Sequence, residues 1–203
     1  MQAARPNPTA VILAAGTSAR MGCLDKLLLP LNGKPIILYV VELACEWTDT
    51  VVVVTAPSPT NEGMVETLEG TPTRIVENER HESGIGSSIA TGVSAARLDA
   101  PGFLIFLGDM PSVSPRTVEQ MVARFASDPS RIIVPVHEGK RGHPVLFPKE
   151  FRHRLETIES WKSVSDVLSE HMNMVTPLPV NDPGILYDID SPADYRGAIL
   201  QVV

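Results

Sequence analysis

At 203 residues the chain is long enough to build one substantial hydrophobic core. Its net charge of −7 argues against a general nucleic-acid binder, which needs a basic surface to displace counterions. Apolar residues make up 43% and charged residues 20%, which excludes a disordered chain, and no apolar run approaches the roughly 20 residues needed to cross a bilayer. Two cysteines, Cys23 and Cys45, have no metal-ligand spacing, so no zinc site is on offer and a reduced, cytoplasmic setting is expected. The opening MQAARPNP holds an arginine but no apolar core, so residues 1–8 read as a frayed tail rather than a secretory signal, and 9–203 as a single domain.

Thr9 to Leu13 is a short run rich in β-branched residues that breaks into Ala14, Ala15 and Gly16, the pattern of a buried strand emptying into a loop. The loop supplies Gly16 and Gly22 for close backbone approach, Thr17 and Ser18 as short donors, and the cations Arg20 and Lys26. A donor-rich, cationic turn at the carboxyl end of a strand is where an α/β sheet receives a phosphorylated ligand. The better-known phosphate loops do not fit: Gly33-Lys34 is followed by Pro35 rather than Ser or Thr, and Gly16-Thr17-Ser18 lacks the second glycine of a dinucleotide fingerprint. The plain reading, a glycine turn that only turns, does not account for two cations in an acidic chain.

The stretch LAAGTSARMGCLDKLLLP, from Leu13 to Pro30, resembles the signature of nucleotidyltransferases of the molybdopterin cytidylyltransferase type, within the wider group of nucleoside-triphosphate transferases. The resemblance implies an α/β fold of the nucleotide-diphospho-sugar transferase type, a Rossmann-like three-layer, mostly parallel sheet with helices on both faces. It also implies a nucleoside triphosphate, Mg²⁺ and release of pyrophosphate. On this pattern Leu13, Ala14, Ala15, Gly16, Ser18, Arg20 and Lys26 bind the nucleotide, with Arg20 and Lys26 also catalytic.

Further along, Pro35 stands where a first helical turn would begin, and Ile36 to Glu46 has apolar residues at helical spacing. Val51 to Thr55 is a fully apolar strand, Glu62 to Leu68 a helix and Arg74 to Val76 a short strand. Alternating strands and helices predict a parallel sheet with helices on both faces. Gly84, Gly86, Ser87 and Ser88 precede a helical run reaching about Arg97, and a helix start exposes amides that serine can cap. The family's G-x-x-S-S turn matches here and implies nucleotide contacts for Gly86, Ser87 and Ser88. His81 reads as a surface residue rather than a ligand.

Phe103 to Leu107 is the most apolar strand and runs into Gly108-Asp109-Met110-Pro111. A carboxylate at that strand end points into the same crevice as the first loop, and suits Mg²⁺, which takes one or two carboxylates together with substrate phosphates. Val118 to Phe125 is an amphipathic helix and Arg131 to Val136 a strand. The basic turn Lys140-Arg141-Gly142-His143-Pro144 leads into Val145 to Phe147, which predicts a hairpin projecting beyond the sheet. The resemblance places Gly142, His143 and Pro144 beside the acceptor substrate.

Pro148 to Leu155 and Ser163 to His171 look helical. Between them the relatives carry Gly-Asp-x-Gly-Ala-Arg, whereas this chain reads ETIESWKSVSDVL, with Trp161 and Lys162 in that place. Val175 to Val180 is the next strand. In the closing ILYDIDSPADY, Asp188 and Asp190 lie on one face of an extended segment and Ser191-Pro192 opens a helix. The family ending makes Asp190 the second metal ligand beside Asp109, while Asp194 is expected to face solvent.

The resemblance implies CMP transfer from CTP to a molybdopterin-type phosphate acceptor with a molybdoenzyme as client, while charge and hydropathy point to no nucleic acid or membrane partner. Another nucleotide such as GTP, a sugar-1-phosphate acceptor, or a non-catalytic carrier of a nucleotide cofactor are the competing readings. Arg20, Lys26, Asp109 and Asp190 speak against the carrier, because binding alone needs no metal-assisted leaving group.

Overall fold

The computed structural model describes residues 7–16 and 25–200. The first strand, β1 (Thr9–Ala14), is buried throughout, and its side chains alternate between two cores: Ala10, Ile12 and Ala14 on one face, Val11 and Leu13 on the other. That alternation follows from the two-residue period of a strand, and apolar residues at both phases require cover on both sides.

Beyond Lys26, a two-stranded hairpin joins β2 (Pro30–Leu31) to β3 (Lys34–Pro35) through Asn32 and Gly33, both at positive φ. Pro35 therefore ends a strand, and α1 (Ile36–Trp47) begins one residue later. Next come β4 (Val51–Thr55), α2 (Glu62–Leu68), β5 (Thr73–Glu77) and α3 (Ile85–Ala95), then β6 (Gly102–Leu107) and α4 (Pro115–Ser127). The chain continues with β7 (Ile132–His137), β8 (Lys140–Arg141), β9 (Val145–Pro148), α5 (Arg152–Glu156), α6 (Val164–Glu170), β10 (Val175–Pro179) and α7 (Pro192–Leu200).

The main sheet is eight-stranded in the order β10-β7-β9-β6-β1-β4-β5, with β8 pairing at the side of β7. Residues of α1, α2, α4 and α7 fill one face of it and those of α3, α5 and α6 the other, as expected for a Rossmann-like three-layer α/β protein. Every pairing along the path is parallel except those of β9, which runs antiparallel to both β6 and β7.

The predicted hairpin is thus only half right. Residues 136–141 do turn back on themselves through Glu138 and Gly139, but the strand after them enters the sheet instead of projecting from it. The reason lies in its side chains: Val145 and Phe147 pack into one core and Leu146 into the other, so the strand is apolar on both faces and is stable only between two neighbours.

From β1 the chain steps outward to β4 and β5, then returns to β6 on the opposite side of β1. The β1–β6 boundary, where Leu13 lies opposite Leu107, is therefore a switch point, and the loops leaving these strands diverge to open a crevice at their carboxyl ends.

Candidate active site

A cleft of about 470 Å³ occupies that crevice. Leu13, Ala15 and Gly16 line it from β1 and its loop, while Leu107 and Asp109 line it from β6. His81, Glu82 and Gly84 line it from the turn before α3, Ile85 and Ser88 from the first turn of that helix, and Asp188 and Asp190 from the segment before α7.

Local backbone contacts set the acidic end. The Gly108 amide donates to the Leu13 carbonyl at 3.0 Å, which fixes the turn after β6 against β1. The Ile189 amide donates to the Asp109 carbonyl at 3.0 Å, and Ile189 is fully buried, so the two flanking aspartates are turned out together beside Asp109. One carboxylate oxygen from each of Asp109, Asp188 and Asp190 lies within 4.8 Å of the others.

Three anions this close repel strongly unless a cation lies between them. Lys26 supplies one charge, its Nζ donating to Asp109 Oδ2 and to Asp190 Oδ1, both at 2.6 Å. It is placed by a 3-10 turn, Lys26–Leu28, in which the Asp25 carboxylate accepts the Leu27 amide and Leu27 is buried. Burial works against the Lys26 ammonium, but its hydrogen bonds to the two aspartates outweigh it and hold its pKa above the ordinary lysine value. Burial raises the pKa of Asp188, and the charges of Asp190 and Asp109 push it the same way.

Asp109 Oδ1 is buried and has no hydrogen-bond partner. An orphaned carboxylate oxygen beside two further carboxylates fits a hard divalent cation, which takes oxygen ligands. The donor set of Asp109, Asp188 and Asp190 therefore suits such a metal.

Of the residues expected to bind nucleotide, Leu13, Ala15, Gly16 and Ser88 come together in the cleft. Others are turned elsewhere. Ala14 points into the core beneath α1, as strand alternation dictates. Ser87 is 1% exposed, and its hydroxyl donates to the carbonyls of Arg80 and Gly84 while accepting from Asn78, so it fastens the turn instead of facing a ligand. Gly86 donates its amide to the Ser160 carbonyl at 2.9 Å, and a β-carbon there would meet the Glu159 carbonyl at 2.2 Å, so this glycine seats the 159–162 segment.

Ser18 and Arg20, with Gly22 and Cys23, lie outside the described residues. Gly142, His143 and Pro144 do not line the cleft; the His143 amide donates to the Ile185 carbonyl. Burial lowers the pKa of the His143 ring, and the charge of Asp188 acts in the opposite sense.

His81, expected on the surface, is half-buried and lines the cleft. Asp194, expected to face solvent, is half-buried, and its carboxylate accepts the Ser191 amide and hydroxyl at 2.8 and 2.6 Å, closing the first turn of α7. Asp188 was legible in the alternation that placed it beside Asp190, but the sequence pattern singled out only Asp190. Asn78 carried no comparable signal; its role follows from folding, which brings its side-chain amide to Ser87 and Ser88 at 2.8 and 3.0 Å. In the segment that departs from the relatives, Trp161 is 69% exposed and Lys162 pairs with Glu159 and Glu170.

A doubly covered, mostly parallel sheet with a carboxylate cluster at its switch point defines the class of α/β proteins that bind nucleotides at strand ends. The MobA-like NTP transferase domain matches residues 10–175, and the chain belongs to that family of nucleotidyltransferases.

Among curated relatives, the molybdenum cofactor guanylyltransferase of Vibrio cholerae is 29% identical over 204 residues, covering 90% of this chain and 95% of its own length. The bifunctional protein GlmU of Thermus thermophilus is 39% identical over 116 residues, 56% of this chain, and the match spans only 25% of that relative's length. Among solved structures, the manganese complex of Rv0371c from Mycobacterium tuberculosis H37Rv superposes with a TM-score of 0.76 at 23% identity, covering 97% of this chain and 100% of that one. No helix among the described residues is long and apolar enough to cross a membrane.

Proposed function

We propose that the protein transfers CMP from CTP to a molybdopterin-type phosphate monoester and releases pyrophosphate. The observation that carries this reading is the cluster of Asp109, Asp188 and Asp190 around Lys26 at one end of a nucleotide-sized cleft. The acceptor oxygen bonds to the α-phosphorus as the bond to the bridging oxygen of the leaving pyrophosphate breaks. Acceptor, triphosphate and leaving group are all anionic, so positioning and charge neutralisation dominate and no covalent intermediate is needed.

Asp109, Asp188 and Asp190 would hold Mg²⁺. The bound cation would neutralise phosphate oxygens and polarise the transferred group. The manganese found with the mycobacterial neighbour supports a divalent metal of this kind. Lys26 stands where it can pass from the aspartates to a phosphate oxygen, and the family pattern adds Arg20 to the same task. A phosphate-monoester acceptor is already ionised near neutral pH, so the site needs no general base.

CTP is favoured by Ala14-Ala15, which replaces the Gly-Gly of guanylyl-transferring relatives. Of these two residues Ala15 lines the cleft. GTP is the second reading, supported by the guanylyltransferase name of the Vibrio cholerae relative. Pyrophosphate release, measured with Mg²⁺, molybdopterin and each of CTP, GTP, ATP and UTP, should be fastest with CTP. A preference for GTP would move the assignment to guanylyl transfer, and no release with any of the four would favour a non-catalytic nucleotide carrier.

A further inference from the structure

The backbone of Lys26 is fixed while its charge is carried on a flexible stem. Asp25 Oδ1 accepts the Leu27 amide at 3.0 Å, the Leu28 amide donates to the Asp25 carbonyl at 3.1 Å and the Leu29 amide to the Lys26 carbonyl at 3.2 Å, with the Leu27 side chain buried. Beyond its Cα, lysine is a four-carbon chain ending in a point charge, so the ammonium is the part that can move.

That ammonium engages two of the three carboxylates suited to a divalent cation, Asp109 Oδ2 and Asp190 Oδ1, at 2.6 Å each. The contact with Asp109 is poorly hydrated, the Lys26 side chain being 11% exposed and that of Asp109 19%. Breaking such a pair is costly unless each charge finds a new partner within the site. A metal ion alone would meet a like charge already in place and drive it out with no anion to receive it. A triphosphate alone would draw the ammonium away and leave Asp109, Asp188 and Asp190 facing one another without a cation. Only both together keep every charge paired. Asp109 Oδ1 stays buried without a hydrogen-bond partner while the ammonium is in place, so the ammonium covers the cluster without satisfying it, and a divalent ion can.

We propose that Lys26 is a placeholder cation: in the nucleotide-free protein it closes the carboxylate cluster to divalent metal ions, and it yields the cluster when metal and triphosphate arrive together. This inference rests on the nucleotidyl-transfer reading for the identity of the incoming anion. It couples metal and nucleotide binding positively through one side chain, and coupling of this kind is reciprocal.

The test is Mn²⁺ binding without nucleotide, read by electron paramagnetic resonance of the free ion, in the full-length wild type, Lys26→Met and Lys26→Arg. Methionine keeps an unbranched apolar stem and removes the charge, so Lys26→Met should bind Mn²⁺ alone about tenfold or more tighter than the wild type, whereas Lys26→Arg, which keeps the charge, should stay within about twofold. A lysine with a merely structural role would leave Lys26→Met binding Mn²⁺ equally or more weakly. A second measurement uses the wild type itself, with isotope-labelled lysine. Its Lys26 ammonium resonance, assigned by its loss in Lys26→Arg, should hardly move with Mg²⁺ alone and should shift fully only when Mg²⁺ is added together with CTP or GTP.

Equal or weaker Mn²⁺ binding by Lys26→Met, or a complete ammonium shift with Mg²⁺ alone, overturns the inference, and the proposed function survives that result if the wild type still releases pyrophosphate. Tighter Mn²⁺ binding by Lys26→Met, in a protein that releases no pyrophosphate with any nucleoside triphosphate, keeps the placeholder and sinks the proposed function.

Discussion

Two carboxylates at the same end of the sheet, Asp182 and Asp109, sit in turns of opposite character. Asp182 is 5% exposed and fully employed: Oδ2 accepts the Ser114 amide at 2.9 Å and the Thr117 hydroxyl at 2.6 Å, and Oδ1 accepts the Gly184 amide at 3.0 Å. It ties the start of α4 to the 182–186 turn. Asp109 is also largely buried, yet one of its oxygens has no hydrogen-bond partner and the other shares Lys26 with Asp190. A buried carboxylate with both oxygens directed at donors belongs to the architecture. One left partly unsatisfied among like charges is kept for a ligand, and the fold bears that cost elsewhere.

Substitution at each position should separate the two roles. The largest effect is expected for Asp109→Asn, which removes the ligand charge and should lower turnover by at least about a thousandfold, roughly 4 kcal/mol of transition-state stabilisation. Circular dichroism and thermal unfolding should stay near those of the wild type, and full activity in that variant would remove Asp109 from the metal site.

Next is Asp182→Ala, which leaves two amides and a hydroxyl without their acceptor and should destabilise the fold by about 2–4 kcal/mol in urea denaturation. The folded fraction should retain most of its activity. Should activity fall as far as in Asp109→Asn while stability holds, the division between the two turns is wrong.

The smallest effect sharpens the comparison through pH. Burial and the neighbouring charges of Asp190 and Asp109 raise the Asp188 pKa above its unfolded value, so in the metal-free protein its ionised form weakens the fold at neutral pH. That loss disappears as the pH falls through the raised folded-state pKa. In the presence of chelator, Asp188→Asn should therefore raise Tm at pH 7, and the advantage should shrink as the pH is taken down through the carboxylate range. With Mg²⁺ and nucleotide the order should reverse, the variant gaining less ligand-induced stabilisation than the wild type.

Much of the fold was legible because its signals are local. The apolar runs of β1, β4 and β6, the α2 span and the Ser191-Pro192 start of α7 all follow from periodicity and capping within a dozen residues. The β2–β3 hairpin was not among the expected elements, because Pro35 was read as a helix start, although Asn32-Gly33 suits the two positive φ values of a tight hairpin turn. The strand β9 was expected to project as part of a hairpin, and its place inside the sheet depends on distant pairing with β6 and β7.

By itself the sequence determined the alternation of strands and helices, the carboxylate at the end of β6 and the motif that ties the chain to its family, because each is written in neighbouring residues. Only the tertiary structure decided that Asp188 joins Asp109 and Asp190, that Ser87 turns inward while His81 and Glu82 face the cleft, and that Asp182 is consumed by its own fold. Those outcomes depend on which distant groups supply or withhold hydrogen-bond partners, such as the Ile189 amide at the Asp109 carbonyl or the Asn78 amide at Ser87, and a linear sequence does not record that pairing.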